Sequence, residues 1–506
     1  MDSKNAVGLA VSTVSLLVKV PSEESRDQIT KSLFENPDND YVENGSMGIQ
    51  TNMNCFLSIP KRQRKHTPCK AICSLLIGLS CACPTFAAEE EKGILSIPQY
   101  EGDISNRNHL TGDWGGTRTD WAEKGVQFDI DLVQWAEQVT DGGASDSTET
   151  GGNATYNLTF DLDQAGILDR AVIQVRAESR WGSSVNLNTG LIVPSNVAAI
   201  TPTNYKKFDD GYDIAVTQLT YLQFITDHLG IIVGKLDLFA DGDANEFATG
   251  RGRTQFNNWS LNYATGSLLI PASTIGAGVI YEPNQNMTFS TMVFSGAECV
   301  RSDCFDDLDD GGVVSATTAS FQYQLSDLPG GFTGSYVHWF DSDFTDLNSI
   351  TATPGESLVA STENESWLVS GSFWQYVSAE GSHEGPVNLH DRMPDLQGWG
   401  VFGRFAFADE DTNPWKTSIA VGLGGRGVIP GRPDDLFGVG YFYNELSTDR
   451  FLDEVGFEDK GVGYEVFYNL AITKAVRFST NVEYLKWIIP GHSDAVVATG
   501  RLQIIF

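Results

Sequence analysis

Basic residues are scarce in this chain of 506 residues, with 33 Lys and Arg against 66 Asp and Glu. Nucleic-acid binding requires clustered Lys and Arg, so no nucleic-acid partner is expected. Long hydrophobic runs are also scarce. A single stretch near the N-terminus approaches the length of a membrane helix, which excludes a bundle of such helices. The 51 glycines follow no fixed period, which excludes a collagen-like chain, and a hydrophobic content of 41% excludes a disordered one.

The hydrophobic stretch has the pattern of an export signal. Five Lys and Arg precede an apolar run at 71–83, and the small residues Ala87 and Ala88 then offer a cleavage site. We expect residues 53–88 to form a signal peptide region. An uncleaved anchor and an acylated lipoprotein are the alternatives, and the short run and the residues before its cysteines disfavour them. Residues 1–52 fit no export logic and are either an extension of unknown role or a misassigned start.

Few cysteines and many acidic residues follow the leader. Residues 89–506 hold 24 basic and 58 acidic side chains, so the acidity belongs to the exported part. Two of the seven cysteines lie there, Cys299 and Cys304, separated by four residues. Two close cysteines in an exported chain most simply form a disulfide. A metal site would need two more ligands, and none is evident in the neighbouring sequence.

Alternation of apolar and polar residues dominates the exported part. From Val126, one face reads Val, Phe, Ile, Leu and the other reads Gln, Asp, Asp. The pattern returns at 156–163, 171–180 and 464–470, between clusters of Gly, Asp, Asn and Pro. A period of two in short segments predicts β-strands. The chain is therefore expected to be all-β.

Two environments produce such alternation, a soluble sandwich and a transmembrane barrel. The barrel is favoured because the polar faces carry both signs of charge, as in a water-filled pore. The last segment also places Leu502, Ile504 and Phe506 on one face, the pattern that outer-membrane assembly machinery reads. Tryptophans recur toward segment ends, where aromatic girdles lie: Trp181, Trp259, Trp339, Trp399, Trp415 and Trp487. We predict an antiparallel transmembrane β-barrel over residues 126–506, in contact with outer-membrane lipid.

Several longer motifs resemble those of one family. LTGDWGGTRTDWAEKG at 110–125, GKLDLFADGDANEFA at 234–248, the glycine-aromatic stretch at 398–415 and GRPDDLFGVGYFYNELS at 431–447 are similar to the signatures of carbohydrate-selective porins, the OprB family. The resemblance spans roughly residues 105–506. It implies one bacterial outer-membrane barrel of 16 strands that passes mono- or oligosaccharides by diffusion, with no cofactor. A monomer and a homotrimer both remain open. The chain departs in its acidic loops, its cysteine pair and its first 52 residues.

Alternation also selects charged residues that would line the lumen. Arg offers a planar fork of donors and Asp or Glu accepts from vicinal hydroxyls, so both signs can replace the hydration of a sugar. The lumen candidates are Arg176, Glu178, Arg180, Lys235, Asp237, Arg404 and Arg426. On the strand of Lys235, Ile232 and Leu236 are expected to face outward. The alternative for each candidate is that it only contributes to a hydrated lumen wall, without binding sugar.

The region before the barrel is expected to be a periplasmic segment, residues 89–125, with a short helix at 119–124. It would either plug the barrel mouth or cap the barrel end, and capping is favoured. Further on, Asp241 and Asp243 begin a stretch like a calcium loop. Position six there is Glu246 and position twelve is Gly252, where such a loop needs glycine and a bidentate acid. No metal site is predicted.

Three other functions compete with selective sugar diffusion. A general porin and a secreted sugar-binding β-protein would share the alternation. An enzyme such as a retaining glycosidase would need two carboxylates about 5 Å apart, and spacing in sequence does not reveal such a pair. No nucleophile elbow appears, and the histidines stand in no triad or metal spacing. A channel without catalysis is therefore expected.

Overall fold

The computed structural model describes residues 93–189, 193–200, 214–239, 245–300, 302–306, 308, 311–350, 360–380, 394–447, 458–486, 488 and 493–506. The expected extension at 1–52 and signal peptide at 53–88 lie outside the described residues. Asp241, Asp243 and Trp487 lie outside them as well.

Within the described ranges, sixteen antiparallel strands close into one barrel. Its wall consists of β1 (Val126–Asp141), β2 (Thr148–Asp161), β3 (Ala171–Gly182), β4 (Ile214–Phe224), β5 (Leu229–Asp237), β6 (Ser273–Asn284), β7 (Met287–Ser295), β8 (Val313–Leu325), β9 (Leu328–Phe340), β12 (Ser366–Ala379), β13 (Gly398–Ala408), β14 (Trp415–Arg426), β15 (Leu436–Leu446), β16 (Lys460–Ala471), β17 (Val476–Leu485) and β18 (Ala495–Ile505). β10 (Phe344–Thr345) and β11 (Thr362–Glu363) form a separate two-stranded sheet. The barrel and its predicted strand number are confirmed.

Closure joins the first and last strands, with Leu132 opposite Ile504. The two ends of the barrel differ in their connections. At the short-turn end, β8 and β9 are joined by Ser326 and Asp327, both with positive φ (53° and 63°), the backbone that a two-residue hairpin requires. At the long-loop end, β5 and β6 are separated by 35 residues. Short turns face the periplasm in outer-membrane barrels, and long loops face the exterior.

Apolar side chains cover the outer face of the wall. Val233, Phe407 and Val466 are each about half exposed, since no part of the chain packs over them. Along β13, exposed Val401 and Phe407 alternate with buried side chains on the inner face. This is the arrangement that a bilayer requires of a strand that contacts lipid.

The tryptophans depart from the girdle prediction. Trp399 is exposed, as a girdle residue would be, but Trp259, Trp339 and Trp415 are each no more than 3% exposed. Trp259 packs against the ring of Phe239 with centroids 5.2 Å apart. The prediction was wrong for these three, because segments that fold into the lumen bury aromatic side chains there.

The region before β1 contains helix α1 (Thr117–Ala122), slightly earlier than the predicted 119–124. Arg118 on this helix is buried and donates to Phe128 O at 2.7 Å and to Asp129 Oδ1 at 2.5 Å on β1. Its guanidinium carbon lies 3.9 Å from the centroid of the Tyr100 ring, a cation–π contact. The segment is thus fixed to the short-turn end. Among the described residues, neither α1 nor α2 (Trp259–Asn262) is long and apolar enough to span a bilayer.

Candidate functional site

The chain between β5 and β6 folds into the barrel. Asp237 and Ser273, which flank it, are register neighbours. A tight turn could therefore join the two strands, and the intervening length far exceeds that of an ordinary hairpin loop. Residues 245–272, called the inward segment below, include helix α2 and are almost entirely buried up to residue 267. The segment contacts walls on opposite sides of the barrel and therefore crosses the lumen.

Glycines on β13–β15 make room for the aromatic and aliphatic side chains of this segment. A Cβ at Gly400 would lie 2.4 Å from the ring of Phe247, and a Cβ at Gly440 would lie 2.7 Å from Leu261. Both distances are shorter than any tolerated carbon contact. Phe256 stacks edge-on against Phe467 of β16, with centroids 4.8 Å apart. The glycine-aromatic pattern of these strands thus provides a surface for the inward segment.

Two carboxylates on the last strands hold the backbone of the segment. Glu465 on β16 accepts hydrogen bonds from the backbone N–H of Asn257 at 2.6 Å and of Asn258 at 3.0 Å. It also accepts from Asn481 Nδ2 at 2.6 Å. Glu483 on β17 accepts from Asn258 Nδ2 at 3.0 Å. A carboxyl group has two oxygens that can accept several N–H groups at once, so these contacts hold the segment in place.

Two wall arginines bind the segment from different sides. Arg501 on β18 donates to the backbone carbonyl of Gln255 at 2.7 Å. Arg404 on β13 donates to the carbonyl oxygens of Ala248 and Leu261. Both arginines are no more than 3% exposed. A planar guanidinium can satisfy several carbonyls at once, which suits it to fixing irregular backbone.

The segment supplies one arginine to a buried cluster of four charges. Arg251 Nη2 lies 3.0 Å from Glu178 Oε1 on β3 and 3.6 Å from Asp237 Oδ2 on β5. Arg176 on β3 completes the cluster with Nη1 3.3 Å from the same Asp237 oxygen, and its Nε donates to Asn157 Oδ1 at 3.0 Å. Two guanidinium groups and two carboxylates balance in charge. We call this set, Arg176, Glu178, Asp237 and Arg251, the charge cluster.

A neighbouring arginine repeats this arrangement against β1 and β2. Arg253 Nη1 lies 3.1 Å from Asp131 Oδ2, and its Nη2 donates to Asn153 Oδ1 and Thr155 Oγ1. The side chain of Asp131 is 24% exposed, so this pair reaches the open part of the lumen.

The structure brings together some of the predicted lumen residues and separates the others. Arg176, Glu178 and Asp237 meet in the charge cluster. Arg180 lies on the same inner face of β3, with its guanidinium 5.9 Å from the ring centroid of Trp135. Arg404 is held against the inward segment, as described above.

The two remaining candidates lie near the ends of the barrel. Arg426 donates to Pro394 O at 3.1 Å and to Asp434 Oδ1 at 2.5 Å at the short-turn end. Lys235 donates to Ser302 O at 2.8 Å, in the loop after β7. Lys235 therefore contacts a loop rather than its predicted companion Asp237. A role in sugar binding stays a prediction for all seven candidates.

The expected outward orientation of Ile232 and Leu236 was wrong. They are 5% and 4% exposed and belong to an apolar cluster with Ile280 and Phe294. Leu238, at the start of the connection to the inward segment, packs on the same cluster. The inner face of the wall is apolar where this connection covers it. Alternation alone therefore assigns the apolar residues of β5 to the lipid side, which is the wrong face.

The loop after β7 contains the two cysteines. Cys299 and Cys304 are both buried and are free thiols in this structure, and their side chains interact with each other. Glu298 accepts from the backbone N–H of Ala272 at 2.6 Å, which ties the loop to the end of the inward segment. Burial raises the pKa of the Glu298 carboxyl to about 7.

The disulfide stays a prediction with a direct test. We expect intact-mass analysis of the native, unreduced protein to show Cys299 and Cys304 joined, with no alkylation by a thiol reagent. The loop is short, so closing it should add under about 3 kcal/mol to stability and mainly order the loop. Two alkylated cysteines in unreduced protein would contradict the pairing.

Another acidic residue holds the beginning of the inward segment. Glu246 accepts from the Tyr376 hydroxyl at 2.5 Å and from the Asp395 N–H at 2.6 Å. Burial raises the pKa of Glu246 to about 8. Asn245 beside it donates to Ser372 Oγ at 2.8 Å. Asn245 and Glu246, the fifth and sixth positions of the stretch compared with a calcium loop, therefore serve as contacts between segment and wall.

Charge is distributed unevenly around the wall. β7, β8, β9 and β12 contain no Asp, Glu, Lys or Arg at all. The buried ionic groups of the wall described above belong to β3, β5, β13 and β16–β18, and the half-buried Asp131 belongs to β1. The lumen therefore has a charged side and an uncharged side. The charges on the first side are largely paired with those of the inward segment.

Sequence reasoning missed the contribution of the inward segment, above all Arg251 and Arg253. Their signal was the length of the connection. A stretch of this length without strand alternation, rich in Asn, Arg and aromatic residues, is typical of a functional loop.

Comparison with known proteins gives a consistent result. A family model described as carbohydrate-selective porin, OprB family, matches residues 145–506. Porin B of Pseudomonas aeruginosa is 22% identical over 435 residues, covering 79% of this chain and 92% of Porin B. The putative porin QuiX of Acinetobacter baylyi is 31% identical over 84 residues, 16% of this chain and 19% of QuiX. The high-pH structure of Pseudomonas putida OprB superposes with a TM-score of 0.67 and 18% identity, covering 80% of this chain and all of that one, and it shares the fold.

Proposed function

Because this chain belongs to the carbohydrate-selective porin, OprB family, and is a porin of the bacterial outer membrane, we propose that neutral mono- or oligosaccharides diffuse past its inward segment without any chemical step. The observation that carries this proposal is the fixation of the segment across the lumen by buried polar contacts. A constriction held by many wall strands has a constant width, and constant width is what a diffusion filter needs.

Charge compensation supports a preference for neutral solutes. The four members of the charge cluster bond to one another, and Arg253 bonds to Asp131. Groups that are already paired attract a charged solute less strongly than unpaired ones would. We assign Glu178 and Asp237 the role of positioning the segment, while Arg176, whose side chain is 11% exposed, is the member that reaches a passing sugar.

The surroundings of the barrel are part of the same proposal. Its exposed apolar face contacts outer-membrane lipid, and Phe506, directly after β18, is read by the assembly machinery. Either a monomer or a homotrimer fits this arrangement. The family is one of channels, and we assign the chain no catalytic activity.

Conductance in a planar bilayer tests this function. The exported part has a large excess of acidic residues, which places a negative potential at the mouths and should make the channel weakly cation-preferring. We expect the current to fall when glucose or a short glucan is added at millimolar concentration. A viscosity-matched solution of a polymer too large to enter serves as the control. Current that changes no more with sugar than with the control would leave only a general porin.

A further inference from the structure

Hydroxyl side chains form two rows across the uncharged side of the lumen. Register pairing places one residue of β8, one of β9 and one of β12 in each row. The rows are Thr318, Ser335 and Ser370, and Ser320, Thr333 and Ser372. Thr318 and Ser335 are joined by a hydroxyl–hydroxyl bond of 2.5 Å, and Ser320 and Thr333 by one of 3.0 Å.

A cavity of about 100 Å³ lies between these rows and the chain that enters the lumen. The wall side is lined by four hydroxyl residues, Thr333, Ser335, Ser370 and Ser372, together with Val337, Leu368 and Gly371. The opposite side is formed by Leu238, Phe239, Tyr263, Ala264, Ser267 and Ile270. None of the residues around the cavity is Asp, Glu, Lys, Arg or His.

The aromatic side of the cavity is well ordered by its contacts. Tyr263 donates its hydroxyl to Phe239 O at 3.1 Å, and the two rings pack edge to face with centroids 5.2 Å apart. Phe239 also packs against Trp259. These contacts hold an apolar surface opposite the four hydroxyl groups of the wall.

We propose that this cavity is the binding site for one neutral sugar ring during passage, an inference that rests on the sugar-porin function proposed above. A pyranose presents C–H groups on its faces and hydroxyls at its edge. The C–H groups match the aromatic and aliphatic surface, while Ser and Thr hydroxyls can both donate to and accept from the sugar. A site of this volume lies below the ~300 Å³ at which pockets for drug-sized ligands begin, so it takes a single ring rather than a chain.

The absence of charge gives the site its specificity. A sugar carboxylate would enter the cavity without a cationic partner, and burying an unpaired charge is costly. No member of the charge cluster lines this cavity, and its guanidinium groups are bound to Glu178 and Asp237. The site therefore accepts glucose and rejects glucuronate.

Substitutions at Ser370 test the site. Ser370→Leu fills the cavity, and Ser370→Ala removes only the hydroxyl. Val369→Leu is the matched control, since Val369 is the adjacent residue of β12 and is exposed on the outer face. We expect Ser370→Leu to weaken the glucose block of the bilayer current about tenfold, the loss that corresponds to 1.4 kcal/mol. Ser370→Ala is the smaller change, so it should weaken the glucose block by a smaller factor than Ser370→Leu does. Val369→Leu should leave the glucose block unchanged.

Each outcome decides between the site and the wider function. Wild-type current that glucose does not block overturns both the sugar-porin function and this site. Normal block in the wild type together with unchanged block in Ser370→Leu overturns the site alone. If Ser370→Leu does not insert, Ser370→Ala decides in the same way. Equal block by glucose and glucuronate in the wild type overturns the assigned specificity.

Discussion

Replacing residues 239–271 with an Asn-Gly turn should raise the open-channel conductance several-fold while the sixteen-stranded wall remains intact. Leu238 N donates to Ala272 O at 3.0 Å, so these two residues are already paired as the ends of a hairpin. Asn-Gly adopts the turn that such a pair requires. Without the inward segment, the lumen loses its constriction and both ions and sugars should pass with little discrimination.

Heat-modifiable gel mobility separates a widened pore from a misfolded one. The carboxylates and arginines that contact the segment would face a water-filled lumen in the deletion variant, so their charges would be solvated rather than stranded. We therefore expect the folded band to persist at the wild-type position relative to the heated band. A folded variant with wild-type conductance would show that residues 239–271 do not form the constriction.

Arg251→Met should shift the ion preference of the channel strongly toward cations. The substitution leaves two carboxylates in the charge cluster, Glu178 and Asp237, with one guanidinium, that of Arg176. Breaking a buried pair by removing one partner typically costs about 3–5 kcal/mol, because an uncompensated charge stays behind. The first part of the inward segment should loosen, and the exposed negative charge should attract cations into the lumen.

The reversal potential in a salt gradient measures this shift, and the chain offers a matched control. Arg170 pairs with Asp227 at the short-turn end, where its side chain is 37% exposed and that of its partner is 86% exposed. Arg170→Met removes the same charge from the protein without touching the lumen. An equal shift in the two variants would mean that net charge, and not the cluster, sets ion preference.

Alternation in the sequence was sufficient to predict the wall. In strands such as β13 and β16, apolar residues at every second position face lipid. The alternation of the sequence therefore matches the alternation of the two faces in the structure. The same rule failed for Ile232 and Leu236, because the connection to the inward segment turns part of the inner wall apolar. Periodicity records that two faces differ, and it does not record which of them faces lipid.

The charge cluster was only partly predictable. Arg176 and Glu178 share a face of β3 by simple alternation, and this much could be read from the sequence. The pairing of Arg176 with Asp237 depends on two strand registers, and the pairing of Glu178 with Arg251 depends on the path of an irregular segment. No local pattern encodes either of these. A more accurate prediction would have required treating the long connection after β5 as a lumen element from the beginning.

The hydrogen bonds between the last three strands and the inward segment have a consequence for the order of folding. Glu465, Glu483 and Arg501 contact residues that precede them by more than 200 positions in the chain. Contacts of such long range form late, since the intervening chain must first be ordered. The segment can thus reach its final position only once β16–β18 have joined the wall. During assembly, the lumen is therefore expected to be wide and without a constriction until the barrel closes.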